Sequence, residues 1–98
     1  MVVHIVMIKF QESEEKAKHV ARVRQLIDGL VDRVPSLRSM ETGINFSSEE
    51  RAMDLVLRAT FDDRKGLEEY AVHPEHLKVI DAIKAVAEYS KVVDYEKI

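Results

Sequence analysis

The chain has 98 residues, the length of a single domain (1–98), and a core this small favours further burial against a partner chain. The absence of cysteine excludes a disulfide framework, a thiolate nucleophile and a cysteine metal site, and the net charge of −3 argues against a broad nucleic-acid-binding surface. The apolar start lacks a basic segment and a cleavage site, and no apolar run approaches membrane-spanning length, so we expect a cytoplasmic protein without nucleic-acid or membrane partners.

The first predicted element is a strand over Val2–Phe10, which consists almost entirely of β-branched and other apolar residues. Both faces of this strand are apolar, which is typical of a central strand buried on both sides. We assign the face that carries His4, Val6 and Ile8 to the interior of a barrel. An imidazole in that position needs a hydrogen-bond partner or a bound ligand.

A helix and two strands follow. Ser13 suits a helix start, and apolar residues at helical spacing continue to about Val34, where Pro35 ends the helix. Alternating apolar residues predict a second strand over residues 38–46 and a third over 53–61, with a polar turn between them.

The last part of the chain is organised around a proline. A short helix begins after Asp62 and Asp63, a second helix begins at Pro74, and a final strand covers about residues 91–97. His73 lies at the cap of the second helix and His76 in its first turn. A helix start disfavours positive charge, so an imidazole there is biased towards the neutral form that accepts a proton or ligates a metal.

The predicted order is strand, helix, strand, strand, helix in two pieces, strand. This is the ferredoxin-like βαββαβ arrangement, an α+β fold with an antiparallel sheet. Helices cover only one face of such a sheet, yet the first strand is apolar on both faces. We therefore expect a homodimer in which two copies pack sheet against sheet, a dimeric α/β barrel.

The sequence resembles the stress-responsive dimeric α/β-barrel family from end to end. The residues that carry the resemblance are His4-Ile5-Val6, Lys9-Phe10, Val34-Pro35, Gly43-Ile44-Asn45, Phe61, Tyr70-x-x-His73-Pro74-x-His76 and Val93-Asp94-Tyr95. The resemblance implies a homodimer whose paired sheets enclose a pocket. A plant relative is a polyketide cyclase that closes an aromatic ring without a cofactor; its catalytic tyrosine and histidine match Tyr70 and His76, and its first-strand histidine matches His4.

This resemblance implies acid/base chemistry of an aldol or Claisen type, with no cofactor and no metal. His76 is the expected base, which removes a proton next to a carbonyl, and Tyr70 is the expected donor to the enolate. His4 and His73 are assigned to binding a small, largely apolar ligand. Whether the chain is an enzyme stays open at this point.

Several alternatives stand beside this interpretation. The chain is a non-enzymatic stress-associated dimer if His73 only caps its helix and His76 is only a hydrogen-bonded core residue. A metal site at His73, Glu75 and His76 requires neighbours around a helix cap to point at one centre. Haem-degrading and quinone-forming monooxygenases share the fold class, but no redox motif is visible. An RNA-binding module needs exposed aromatic residues and basic surroundings, which this acidic chain lacks.

Overall fold

The computed structural model describes residues 1–98 as a four-stranded antiparallel sheet in the order β2-β3-β1-β4, with three helices against one face. This is the predicted ferredoxin-like α+β fold, and that prediction is confirmed. None of the helices is long and apolar enough to cross a membrane. The elements in chain order are β1 (Val2–Phe10), α1 (Lys16–Asp28), β2 (Leu37–Ile44), β3 (Leu55–Phe61), α2 (Arg64–Val72), α3 (Pro74–Val86) and β4 (Ala87–Glu96).

Strand β1 lies in the middle of the sheet, as its two apolar faces predict. It is paired along its length with β3 on one side and with β4 on the other. The register aligns His4 with Ala59 and Asp94, so these three residues stand on the same face of the sheet. A residue on β1 is therefore placed by hydrogen bonds from both neighbours.

The core lies between the helices and one face of the sheet. The even-numbered residues of β1, such as Ile8 and Phe10, pack there. This corrects the expectation that His4, Val6 and Ile8 face the interior of a barrel between two sheets, because their face is the one covered by helices. Both faces of β1 are apolar, and alternation separates two such faces without telling which one the helices cover. The buried residues that the helices contribute include Val20, Val23, Ile27, Tyr70 and Val79.

The opposite face of the sheet carries no helix. The odd-numbered residues of β1 lie on it, together with their partners on β3 and β4. Several of its apolar side chains are exposed in the single chain: Met7, Val56, Tyr89, Val93 and Tyr95. This helix-free face is the surface on which sequence analysis expects a second copy.

Several element boundaries differ from the predictions. Helix α1 begins at Lys16, after a turn that contains Ser13, β2 ends at Ile44 rather than at residue 46, and β3 begins at Leu55 rather than at residue 53.

Helix α1 ends at Asp28 and continues as a 3₁₀ turn over Gly29–Asp32, consistent with the poor helix propensity of glycine. Strand β4 begins at Ala87, several residues before the predicted start near residue 91, because Ala87 already pairs with Phe10. The pairing partner, rather than the local sequence, sets where this strand begins.

The assignment of the two faces of β1 can be tested with adjacent substitutions. We expect Ile8→Asp to abolish folding, because it leaves an unpaired charge in the core at a cost of about 4 kcal/mol or more. Met7→Asp, on the helix-free face, should keep the native circular dichroism spectrum. Equal loss of structure in both variants would contradict the assignment.

Candidate functional site

A break between two helices organises the site. The proline ring disfavours helical geometry at the residue before it, and His73 is accordingly extended, with φ −66° and ψ 135°. Helix α2 therefore ends at Val72, and Pro74 occupies the first position of α3. The backbone N–H of Glu75 donates to Nδ1 of His73 at 3.1 Å. His73 is thus the cap of α3, the first of the two roles that sequence analysis left open for it.

This break brings Tyr70 of α2 beside His76 of α3. On an unbroken helix, residues six positions apart point about 120° away from each other. Here the two rings stack with their centroids 4.0 Å apart and their planes inclined by 32°. The tyrosine ring also packs on Phe61, at a centroid distance of 5.1 Å, and only 1% of Tyr70 is exposed. The His76 ring therefore packs against buried aromatic side chains.

The third ring of the site comes from the sheet. His4 meets the Tyr70 ring edge-on, with centroids 6.1 Å apart and planes inclined by 65°. Nδ1 of His4 is hydrogen-bonded to the carboxylate of Asp94, its partner on β4. We call His4, Tyr70 and His76 the ring cluster.

The structure brings together three of the four residues that sequence analysis proposed for the site. His73 stands beside the ring cluster as a cap, and its role in ligand binding stays a prediction. Sequence analysis did not assign Asp94 to the site. Asp94 lies 90 positions from His4, and only the strand register reveals that the two side chains meet.

Hydrogen bonding defines which nitrogen of His76 is free. Nδ1 of His76 lies 3.2 Å from the carbonyl oxygen of Ala71. A carbonyl only accepts, so Nδ1 carries the proton in this bond, and Nε2 of the neutral ring keeps a free lone pair. Such a nitrogen can accept a proton from a bound molecule.

Burial is the main reason why the pKa of His76 is lowered from its usual value, and the nearby His4 acts in the same direction. The hydrogen bond to the Ala71 carbonyl acts in the opposite direction. Sequence analysis argued for a neutral imidazole from the helix dipole, whereas the structure identifies burial as the larger cause. The ring is therefore neutral at physiological pH.

The pKa of Tyr70 is shifted in the opposite direction from that of His76. Burial raises the pKa of its hydroxyl above the usual value, so the group remains protonated and acts as a donor. No other group of the chain hydrogen bonds to this hydroxyl, and no buried side-chain polar atom of the protein lacks a partner. The hydroxyl thus has no hydrogen-bond partner within the chain, in a residue that is almost entirely buried.

Apolar surface lies next to the ring cluster. Val6 and Val92 pair across β1 and β4 on the same face as His4. Although this is the face against which the helices pack, 58% of Val92 is exposed, so the helices leave part of β4 uncovered. An apolar strip thus adjoins the polar atoms of the cluster.

None of the prominent clefts of the single chain corresponds to the interior pocket expected from the sequence. Five prominent surface clefts have volumes of about 280 to 380 Å³, and none is lined by a ring of the cluster. Asp94, the partner of His4, forms part of the wall of a cleft of about 370 Å³.

The residues of the suggested metal site do not converge. No group of three or more histidine, aspartate or glutamate side chains is arranged to hold a metal ion. Nδ1 of His73 accepts the backbone N–H of Glu75, and Nδ1 of His76 faces a carbonyl oxygen. Both nitrogens have structural partners.

The depressed pKa of His76 predicts how stability depends on pH. The unfolded chain binds a proton at this residue near its usual value of about 6.5, whereas the folded chain binds it only at lower pH. We expect His76 to contribute a rise in the free energy of unfolding as pH increases through this window, and no further change above about 6.5.

Imidazole titration by NMR and urea unfolding between acidic and neutral pH measure the two effects. His76→Gln removes the titrating group and should flatten the pH dependence in this window. A titration midpoint of His76 above the usual value of about 6.5 would show that burial is not the main influence on the pKa of this ring.

The sequence matches a family model and a known enzyme over nearly its whole length. The model of the family described as the Stress Responsive A/B Barrel Domain matches residues 2–97. Olivetolic acid cyclase from Cannabis sativa is 21% identical over 96 residues, which cover 96% of this chain and 94% of the cyclase.

Two solved structures are similar in three dimensions. A dimeric protein of unknown function with a ferredoxin-like fold, from Bacteroides fragilis, is 28% identical, with a TM-score of 0.88 over 98% of this chain and 95% of that chain. Hydroxynitrile lyase from Passiflora edulis is 17% identical, with a TM-score of 0.80 over 96% of this chain and 90% of that chain. The match of the family model over nearly the whole length shows that the chain belongs to the stress-responsive α/β-barrel domain family.

Proposed function

We propose that the protein is a homodimer whose ring cluster binds a small, largely apolar carbonyl compound and carries out acid/base chemistry on it without a cofactor. His76 removes a proton from the carbon next to the carbonyl, and Tyr70 donates a hydrogen bond to the resulting enolate oxygen. The observation that carries this proposal is the stack of a neutral imidazole on a protonated phenol whose hydroxyl has no partner within the chain.

The position of His76 suits a general base. Its Nδ1 is committed to the Ala71 carbonyl, so a proton from the substrate can be taken up only at Nε2. The imidazolium that then forms keeps its bond to that carbonyl, which stabilises the charge. A pKa below the usual value makes His76 a weaker base, but it ensures that nearly every molecule at neutral pH has the ring ready to accept a proton.

Tyr70 and His4 supply the electrostatic part of the proposed mechanism. The Tyr70 ring is fixed by Phe61 and His76, so its hydroxyl is oriented before the substrate binds. A donor oriented in advance stabilises a developing oxyanion without reorganisation. His4, held through Nδ1 by Asp94, directs its other ring nitrogen away from that bond and can provide a second donor or acceptor.

The surroundings of the cluster indicate the substrate class. The strip formed by Val6 and Val92 offers an apolar contact, and no lysine or arginine of the chain pairs with the ring cluster. An apolar substrate with one carbonyl group fits these surroundings better than a phosphorylated or multiply charged one. The similarity to a protein named olivetolic acid cyclase supports a small organic substrate.

A second candidate function is a non-enzymatic dimer with a structural or binding role in stress. It is favoured by the observation that no prominent cleft of the single chain is lined by the ring cluster. In that case His73 and His76 serve only to fix the junction between α2 and α3.

Proton exchange at carbon separates the two candidates without knowledge of the natural substrate. Benzylacetone in deuterium oxide exchanges the protons next to its carbonyl, and proton NMR measures the rate. We expect the wild-type protein to accelerate this exchange and His76→Ala to lower the acceleration by about 100-fold, the usual contribution of a general base. Tyr70→Phe keeps the packed ring and removes the donor, so it should lower the rate while the protein stays folded.

His73→Ala tests the two roles assigned to His73. It removes the cap of α3 and should lower the free energy of unfolding by about 1 kcal/mol. An exchange rate that is retained would assign His73 to the cap alone, and a rate that is lost in the folded variant would assign it to ligand binding as well. Wild-type protein that accelerates exchange no more than His76→Ala does would favour the non-enzymatic dimer.

The dimer itself is tested by light scattering. The exposed apolar residues of the helix-free face should be buried between two copies, and multi-angle light scattering at micromolar concentration should give twice the mass of one chain. A folded monomer whose mass does not change on concentration would contradict the proposal.

A further inference from the structure

A groove lies at the end of β2, at the edge of the helix-free face. Its volume is about 290 Å³, and nearly all the residues that line it are apolar. Met7 and Gly43 are both paired with Val56, which places these three residues on the helix-free face. The remaining residues that line the groove are Ile44, Asn45, Phe46, Ala52, Met53 and Leu55.

Phe46 stands at the rim of this groove, just after β2 ends at Ile44. Its relative exposure is 101%, so neither the groove nor any other part of its own chain shields it from water. An isolated exposed apolar residue needs no explanation. A fully exposed aromatic ring next to an empty apolar groove is a different case, because the chain carries both a large apolar group and a cavity able to bury one.

We propose that Phe46 of one copy inserts into the groove of a second copy and anchors the dimer. The inference rests on the proposed homodimer and adds the contact that holds it together. Ring and groove occur on the same chain, so two copies related by a two-fold axis make the contact twice. A solved relative with the same fold is described as dimeric, which supports a second copy as the occupant.

The proposed contact also places the symmetry axis. Phe46 and the groove are adjacent on each chain. Phe46 of the partner can therefore reach the groove only if the ends of the two β2 strands lie opposite each other. The two-fold axis therefore passes close to the end of β2. Aromatic residues buried at the centre of an interface are those whose truncation weakens binding most.

Gly43 offers a way to fill the groove. Its backbone φ is not positive, so a side chain at this position is tolerated by the backbone. A Cβ atom there would meet Cγ1 of Val56 at 3.4 Å, the limit of ordinary contact. A larger side chain would extend from the helix-free face into the groove.

The test uses two variants that each remove one half of the contact. Phe46→Ala removes the ring, and Gly43→Leu fills the groove. We expect each to raise the dimer dissociation constant at least tenfold by sedimentation equilibrium, with the native circular dichroism spectrum retained. Ala52→Leu fills the groove from another side and replaces Gly43→Leu if that variant does not fold.

Mixing the two variants distinguishes a contact between chains from one within a chain. A Phe46→Ala chain keeps an open groove and a Gly43→Leu chain keeps its ring, so the mixture regains one of the two contacts. We expect the heterodimer to be tighter than either variant homodimer. A mixture no tighter than the homodimers would overturn the inference.

Val72→Ala is the control, since Val72 is 72% exposed on α2, away from the groove, and should leave the dimer unchanged. If the wild type is a dimer and Phe46→Ala has the same dissociation constant, this inference is wrong but the proposed homodimer is retained. A monomeric wild type overturns both.

Discussion

The antiparallel pairing of β1 with both of its neighbours is the interaction on which the rest of the structure depends. It holds His4 opposite Asp94 on the helix-covered face and Met7 opposite Val56 on the helix-free face. Successive residues of a strand point to opposite faces, so this strand supplies both His4 of the ring cluster and part of the expected dimer surface. Any shift of its register by one residue would exchange the two sets and destroy both.

The break at Pro74 has a comparable role for the helices. A continuous helix would carry Tyr70 and His76 on different sides, and no rotation of that helix would stack them. The proline imposes an extended residue at position 73, and the side chain of that residue caps the helix that follows. The cost of interrupting a helix is thus partly offset by a satisfied backbone donor, and the result is a fixed pair of rings.

The chemistry proposed for the ring cluster follows from environments that differ over a few ångströms. Burial affects Tyr70 and His76 in the same physical way, because it penalises the charged form of each. The consequence is opposite for function: the phenol keeps its proton and the imidazole loses its own. A protonated phenol and a neutral imidazole therefore lie in contact at neutral pH.

The amino-acid sequence by itself determined the order and type of the elements, the central place of β1 and the cap at His73. These features depend on local constraints: apolar periodicity, the geometry of proline and the preference of polar residues for helix starts. Tertiary structure alone decided which face of β1 the helices cover, because that strand is apolar on both sides. It also decided the pairing of His4 with Asp94 and the stacking of Tyr70 on His76, since both depend on strand register and on the angle between two helices, which no local pattern encodes.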